Sequence, residues 1–195
     1  WGGFPPGGLE TLSPEAVAEA LQEAPAAGGL LIRDGLVLNP ASVLERWLAD
    51  TPVVAAAVAA LVADGPAWRL LDADGAVVGE AEAVCLAAGA ASVRFAELPL
   101  QAVRGQASWA AAVFPGRPAA WGGYAIPTTG GVLFGATHDR GDLDIAVRPE
   151  DHRRNLAALA AGRPKLARAL EVAALEGRAS LRAAVADHLP LAGPI

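Results

Sequence analysis

Apolar residues recur at helical spacing in some stretches of the chain and at strand spacing in others. Ser13-Pro14-Glu15 places an N-cap, a first-turn proline and an early acid in order, and Val17 and Leu21 follow on one face. A helix over 14–23 is predicted, with Ala24 extending its face. Asn39-Pro40 repeats the signal ahead of Val43, Leu44, Trp47 and Leu48. Pro149 and Pro164 open two more helices, the first carrying Leu156 and Leu159 and ending near Gly162, the second carrying Leu166, Leu170 and Ala173. Strands are expected at 30–32 and 36–38 around the Asp34-Gly35 turn. They are also expected at 68–71 and 76–78 around Asp72-Ala73-Asp74-Gly75, and at 82–87, 98–109, 121–126, 132–137 and 178–185. The run 53–62 fits a strand or an Ala-rich helix, and periodicity does not separate the two. The first nine residues read as loop.

These strands come in hairpins and do not alternate with helices. The expected fold class is therefore α+β, a mostly antiparallel sheet with flanking helices. The expected segments are 1–50, N-terminal helices and loops leading into the fold; 51–97, a group of strands; 98–185, an antiparallel domain; and 186–195, a terminal segment.

Composition narrows the class. With 53% hydrophobic and 18% charged residues in 195, the chain has the makeup of a globular domain. The most apolar stretch, 52–63, is too short to span a membrane, and Asp50 and Asp64 bracket it. No basic-then-apolar leader pattern opens the sequence. The net charge of −6 argues against a strong phosphate-binding surface. Cys85, the single cysteine, lies in an apolar run and is expected to be a buried thiol, in keeping with a reducing, cytoplasmic setting. The sequence starts at Trp1 and contains no methionine, which reads as a piece of a longer protein.

Candidate chemistry is sparse. No two of the 22 glycines are separated by one residue, so a Gly-x-Gly-x-x-Gly dinucleotide loop is excluded from these 195 residues. His138, His152 and His188 form no metal motif; His138 reads as a surface residue and His152 as solvated among helix-start charges. No nucleophile elbow or acid–base pair suggests a catalytic residue. Arg182 stands in an otherwise apolar strand. It is suited to a bidentate hold on a carboxylate, or else faces solvent or pairs with Asp187. Tyr124, the only tyrosine, sits between Gly123 and Ala125, where small neighbours leave room for a ligand; a core or rim tyrosine is the other reading. The strand ending in Ala88-Gly89 is of a type that lets backbone approach a ligand.

Five segments in this order resemble the D-amino-acid-oxidase-like superfamily of FAD-dependent oxidoreductases: GGLLIRDGLVLNP from Gly28, AVCLAAGA ending at Ala90, LPLQAVRGQAS from Leu98, GGYAIPTTGGVLFGATHD from Gly122, and SLRAAVADHLPLAGPI at the end. The nearest likeness is to the oxidoreductase module of the bifunctional enzymes that mature 5-methylaminomethyl-2-thiouridine in tRNA. The resemblance implies FAD as cofactor and oxidation of a secondary amine at a C–N bond to an imine that water then splits. It implies a small amine or amino-acid-like group as substrate, carried on tRNA. It assigns Arg182 to the substrate carboxylate, Tyr124 to the substrate cavity, and Arg104 and Gln106 to the site wall. Val58, Ala88, Gly89, Pro190, Leu191 and Gly193 are assigned to cofactor contact, and the resemblance makes 51–97 strands of a partial FAD domain, 98–185 the substrate domain and 186–195 the start of the second FAD-contact segment. A glycine- or sarcosine-type amino-acid oxidase would use the same arginine. A non-enzymatic binding domain derived from the fold is the reading from another functional class.

Overall fold

The computed structural model describes residues 5–23 and 27–194. The predicted extension of the first helix to Ala24 and the opening residues 1–4 fall outside them. Two compact units interleave along the chain. The first comprises Trp1–Asn39, Arg104–Asp139 and Asp144–Ser180; the second comprises Pro40–Val103, Arg140–Leu143 and Leu181–Ile195.

The first unit begins with β1 (Leu9–Leu12), α1 (Pro14–Leu21) and β2 (Gly29–Ile32). Ser13 caps α1 by accepting the Ala16 N–H at 3.3 Å, and Gln22 ends it in the left-handed region, with φ 57°. β2 pairs antiparallel with β1, Leu9 opposite Ile32. The predicted hairpin between 30–32 and 36–38 is thereby corrected: residues 9–12, of which only Leu9 falls in the expected loop, supply the partner strand, and 36–38 form no regular element.

The main sheet contains β6 (Gln101–Ala111), β7 (Ala119–Ala120), β8 (Tyr124–Thr128), β9 (Gly131–Gly135), β10 (Asp139–Arg140) and β11 (Glu176–Ala184). The strand order is β10-β6-β9-β8-β7, with β11 also paired to β6. The β6–β9, β8–β9 and β7–β8 pairings are antiparallel, as the hairpin pattern predicts. β6 and β11 each pass from one unit into the other. α3 (Pro149–Gly162) and α4 (Pro164–Leu170) form as their opening prolines predict.

Strand parity sets the core. Ala110, Val132 and Pro127 face one another across three strands, as do Ser108, Phe134 and Ala125. Ala110, Ala125, Val132 and Phe134 are fully buried against Leu159, Leu166, Ala167 and Leu170 of α3 and α4. Trp121 packs over Gly162, where any Cβ would collide with the indole, and its Nε1 donates to Ala158 O at 3.0 Å.

A buried ion pair holds this unit's far end. The Arg163 side chain is 0% exposed and is hydrogen-bonded through Nε to Glu23. Its Nη2 donates to Leu21 O at 3.0 Å and Pro115 O at 2.9 Å, and the guanidinium lies over the Phe114 ring. Glu23 also accepts the Lys165 N–H at 2.7 Å. Gly116, at φ +70°, lets this loop meet Ala20 O, which a Cβ would approach to 2.6 Å.

The second unit holds α2 (Pro40–Leu48) and a three-stranded antiparallel sheet of β3 (Ala60–Asp64), β4 (Ala67–Leu71) and β5 (Val77–Ala81). The 72–75 turn is as predicted: Gly75 has φ +82°, and Asp72 Oδ1 accepts the N–H groups of Asp74 and Ala76. Two expectations fail here. Residues 51–59 and 82–88 form no strand or helix, and Cys85 is exposed. Both runs have strand composition, but neither enters a ladder: the first reaches β4 only through its last residue, where Ala59 N–H donates to Leu71 O at 2.7 Å just before β3 begins. Among the described residues of this unit only Ser92 and Val103 are buried, and Trp47 is 79% exposed.

Replacing Arg163 with Met leaves Glu23 charged and buried. The expected loss is about 3–5 kcal/mol of unfolding free energy, read by urea denaturation. The double replacement Arg163→Met with Glu23→Leu is expected to recover part of it. An Arg163→Met protein as stable as the parent would remove the pair from its structural role.

Candidate functional site: a sheet with one structural face and one open face

The expected site residues divide between the units. Arg104, Gln106 and Tyr124 belong to the first; Arg182, Val58, Ala88, Gly89, Pro190, Leu191 and Gly193 belong to the second.

In the first unit, parity separates Tyr124 from the other two. Arg104 and Gln106 precede Ser108 and Ala110 at two-residue spacing on β6, on the face covered by α3. Both are 0% exposed. Arg104 Nη1 donates to Asp151 Oδ2 at 2.6 Å and Nη2 to Ala146 O at 2.6 Å, while Nε donates to Asp144 O. Gln106 Nε2 donates to Arg148 O at 2.9 Å and its Oε1 accepts the Arg148 N–H at 2.8 Å. Together they fasten residues 144–148 to β6. The expectation that Arg104 and Gln106 wall a substrate site is corrected: a guanidinium enclosed in this way is matched to protein acceptors and shows no surface to a ligand.

The network continues through Arg154, whose Nη1 reaches Asp151 Oδ1 at 2.9 Å and whose Nη2 reaches Asp139 Oδ1 at 2.8 Å. The hydrogen bond from Arg154 is the main cause holding the Asp139 carboxyl below its usual range, helped by the charges of Arg154 and Arg104 and by Thr137, against desolvation. His152 is likewise corrected. It is half-buried, its Nδ1 lies 2.8 Å from Ser108 Oγ, and that oxygen accepts from Asn155 Nδ2 at 2.9 Å. The Ser108 hydroxyl, with one donor and two acceptor sites, joins Asn155 and His152 on this face of the sheet. His138 is exposed as expected.

Tyr124 is half-buried on the opposite face of the sheet from Ala125, opposite Gly135 of β9 and in the same row as Ala107 of β6. Ile126, Leu133 and Trp109 form the next row. This face carries an apolar surface with one phenolic hydroxyl and one indole.

In the second unit, Arg182 is exposed on β11. A cleft of about 340 Å³ lies between Leu100, Ala183–Val185 and His188–Leu191, and so contains Pro190 and Leu191. Gly89 at φ +57° and Gly193 at φ +156° have open space where a Cβ would stand. Ala88 precedes the short 3₁₀ turn Gly89–Arg94, and Val58 is half-buried. These features fit edge and backbone contacts to a planar cofactor. No described group of three or more His, Cys, Asp or Glu side chains is placed to hold a metal. No described helix is long and apolar enough to cross a membrane.

The family model described as FAD dependent oxidoreductase matches residues 3–195. The chain belongs to that family. It is 46% identical over 195 residues to the tRNA 5-methylaminomethyl-2-thiouridine biosynthesis bifunctional protein MnmC of Caulobacter sp. (strain K31), covering 98% of this chain and 32% of that protein. It is 49% identical over 191 residues to the protein of the same name from Caulobacter vibrioides, covering 97% and 31%. The chain thus spans about a third of the length of these relatives. Among solved structures, glycine oxidase from Geobacillus kaustophilus superposes with a TM-score of 0.76 at 25% identity, over 96% of this chain and 54% of that one. Iminodiacetate oxidase from Chelativorans sp. BNC1 superposes at 0.70 and 19% identity, over 92% and 53%, and shares the fold. The expected family and the mixed, antiparallel fold class are borne out.

Because the folded pKa of Asp139 is depressed, its stabilisation is present above the ordinary value of 3.8 and is lost as pH falls below it. Melting temperatures measured from pH 6 downward should fall less steeply for Asp139→Asn than for the parent in the acid range. Parallel acid limbs would sever Asp139 from the network's stability.

Proposed function

We propose that this chain forms the substrate-binding part of an FAD-dependent oxidoreductase that oxidises a secondary amine C–N bond on a modified wobble uridine of tRNA, in the cytoplasm. The observation that carries this reading is identity of 46–49% to two MnmC proteins over nearly the whole chain.

Bound FAD would supply the two-electron acceptor for C–N oxidation. Val58, Ala88, Gly89, Pro190, Leu191 and Gly193 are the residues proposed to meet it. The apolar runs at 53–57 and 84–86 are proposed to pack in the sheet of its nucleotide-binding domain. The planar guanidinium fork of Arg182 suits a carboxylate at the end of the amine substituent. Holding that carboxylate fixes which C–N bond faces the acceptor. Tyr124 is proposed to line the substrate cavity with a hydroxyl on an apolar face. Water then adds to the imine carbon; splitting of the C–N bond leaves the amine on the nucleoside and, for a carboxymethyl substituent, releases glyoxylate. No acid–base pair is needed from this chain for the oxidation itself.

A free amino acid as substrate has support from the glycine oxidase fold at TM-score 0.76, at the lower identity of 25%. Turnover of the full-length flavoenzyme on undermodified tRNA against glycine and sarcosine decides between the two. Activity on tRNA is expected, and turnover confined to the free amino acids would reverse the assignment. Arg182→Ala in the full-length protein is expected to raise KM roughly 10- to 100-fold through loss of charge-assisted hydrogen bonds, with the flavin absorbance retained. Unchanged KM would take Arg182 out of substrate binding.

A further inference from the structure

We infer that Trp109 is a stacking platform for an unpaired base of the RNA substrate. This rests on the tRNA reading above and adds a contact for the nucleic acid itself.

Trp109 projects from β6 on the sheet face opposite α3 and α4, the face that carries Tyr124. The indole reaches across β9 to β8. A Cβ on Gly131 would stand 2.4 Å from its Cε2 and Cζ2, so the ring occupies the space above that glycine. Its Nε1 donates to Thr128 Oγ1 at 2.7 Å, and Thr128 is the residue opposite Gly131. Three strands thus fix one ring: β6 supplies it, β9 leaves room for it, and β8 ties down its polar edge. The side chain is half-buried, so the fixed ring retains outward surface. Leu133 and Ile126 lie in the same row as Trp109 and give the platform an apolar border.

A rigid, partly exposed aromatic on an open sheet face is the element on which single-stranded nucleic acid stacks its bases, because every base has a π-face. The chain's net charge of −6 makes a phosphate-gripping surface a poor fit for this part of the protein. Stacking needs no positive charge. The spacing also suits the substrate. The ring spans from the second to the fourth residue along β8 from Tyr124, about 7 to 13 Å at strand rise. A base resting there can extend a carboxylate-tipped arm toward the Tyr124 row.

The test uses the full-length flavoenzyme and the anticodon stem-loop of undermodified tRNA, with binding followed by fluorescence anisotropy at low and high salt. Trp109→Ala is expected to weaken binding roughly 5- to 100-fold, the range for loss of one stacked base. The factor should be the same at both salt concentrations, because no phosphate contact is lost. Trp109→Phe should keep most of the affinity, and Thr128→Val, which frees the ring, should give an intermediate loss. The flavin spectrum should be unchanged throughout. Wild-type affinity in a folded, flavin-loaded Trp109→Ala protein would overturn the inference. So would a change in flavin spectrum with RNA affinity intact, which would make the ring a cofactor contact. If wild type itself neither binds nor oxidises tRNA, the tRNA reading falls first and takes this one with it.

Discussion

Arg104 has no exposed side-chain surface, and a guanidinium cannot give up its charge to ease burial. Its donors must therefore be met by protein acceptors. The carbonyls of Asp144 and Ala146 and the carboxylate of Asp151 meet them, and Gln106 beside it engages both backbone groups of Arg148. The segment 144–148 has no regular structure of its own, and these bonds hold it to β6 and set where α3 begins. Asp151, in the first turn of α3, then reaches Arg154, and Arg154 reaches Asp139 at β10. One enclosed cation thus ties a strand, a loop and a helix start in the first unit.

That assignment leaves the two faces of the sheet with different work. Residues at 104, 106, 108 and 110 are committed to the helix side, where polar groups are satisfied in pairs and the apolar ones pack. Residues at 107 and 109, with 124, 126 and 133 across the ladder, are free of that duty. The side proposed to bind is the one left over once α3 and α4 have covered the other. Period-two alternation makes this an all-or-none matter, since a one-residue slip in β6 would expose the guanidinium and bury the indole face.

Local signals in the sequence placed much of the fold. Ser13-Pro14, Asn39-Pro40, Pro149 and Pro164 each open a helix as expected, and Asp72–Gly75 forms the expected turn. These cues act over a few residues and need no partner. The failures share the opposite property. Residues 53–59 and 82–87 look like strands by composition, but a strand exists only as a ladder. The Glu23–Arg163 pair joins positions 140 apart, beyond any local pattern. Arg104 and Gln106 were read by resemblance as site-wall residues, although their spacing with Ser108 and Ala110 already put them on one face. What was missing was the knowledge of which face α3 covers. His152 departs from the solvated expectation because its partner Ser108 is 44 residues away, beyond any local pattern.

The candidate contacts also differ in kind between cofactor and substrate. Val58, Ala88, Gly89, Pro190, Leu191 and Gly193 include no ionisable group, so whatever they meet is recognised by shape and backbone approach. Charge and hydroxyl are confined to Arg182 and Tyr124. A protein arranged in this way does little to tune the electronics of a bound ring from these positions. On the proposed reading, its influence on the reaction would lie in which amine it accepts and how that amine is turned. Since an exposed arginine by itself accepts any carboxylate, selectivity for a nucleoside would on that reading have to come from a second contact, one that recognises the ring to which the amine is attached.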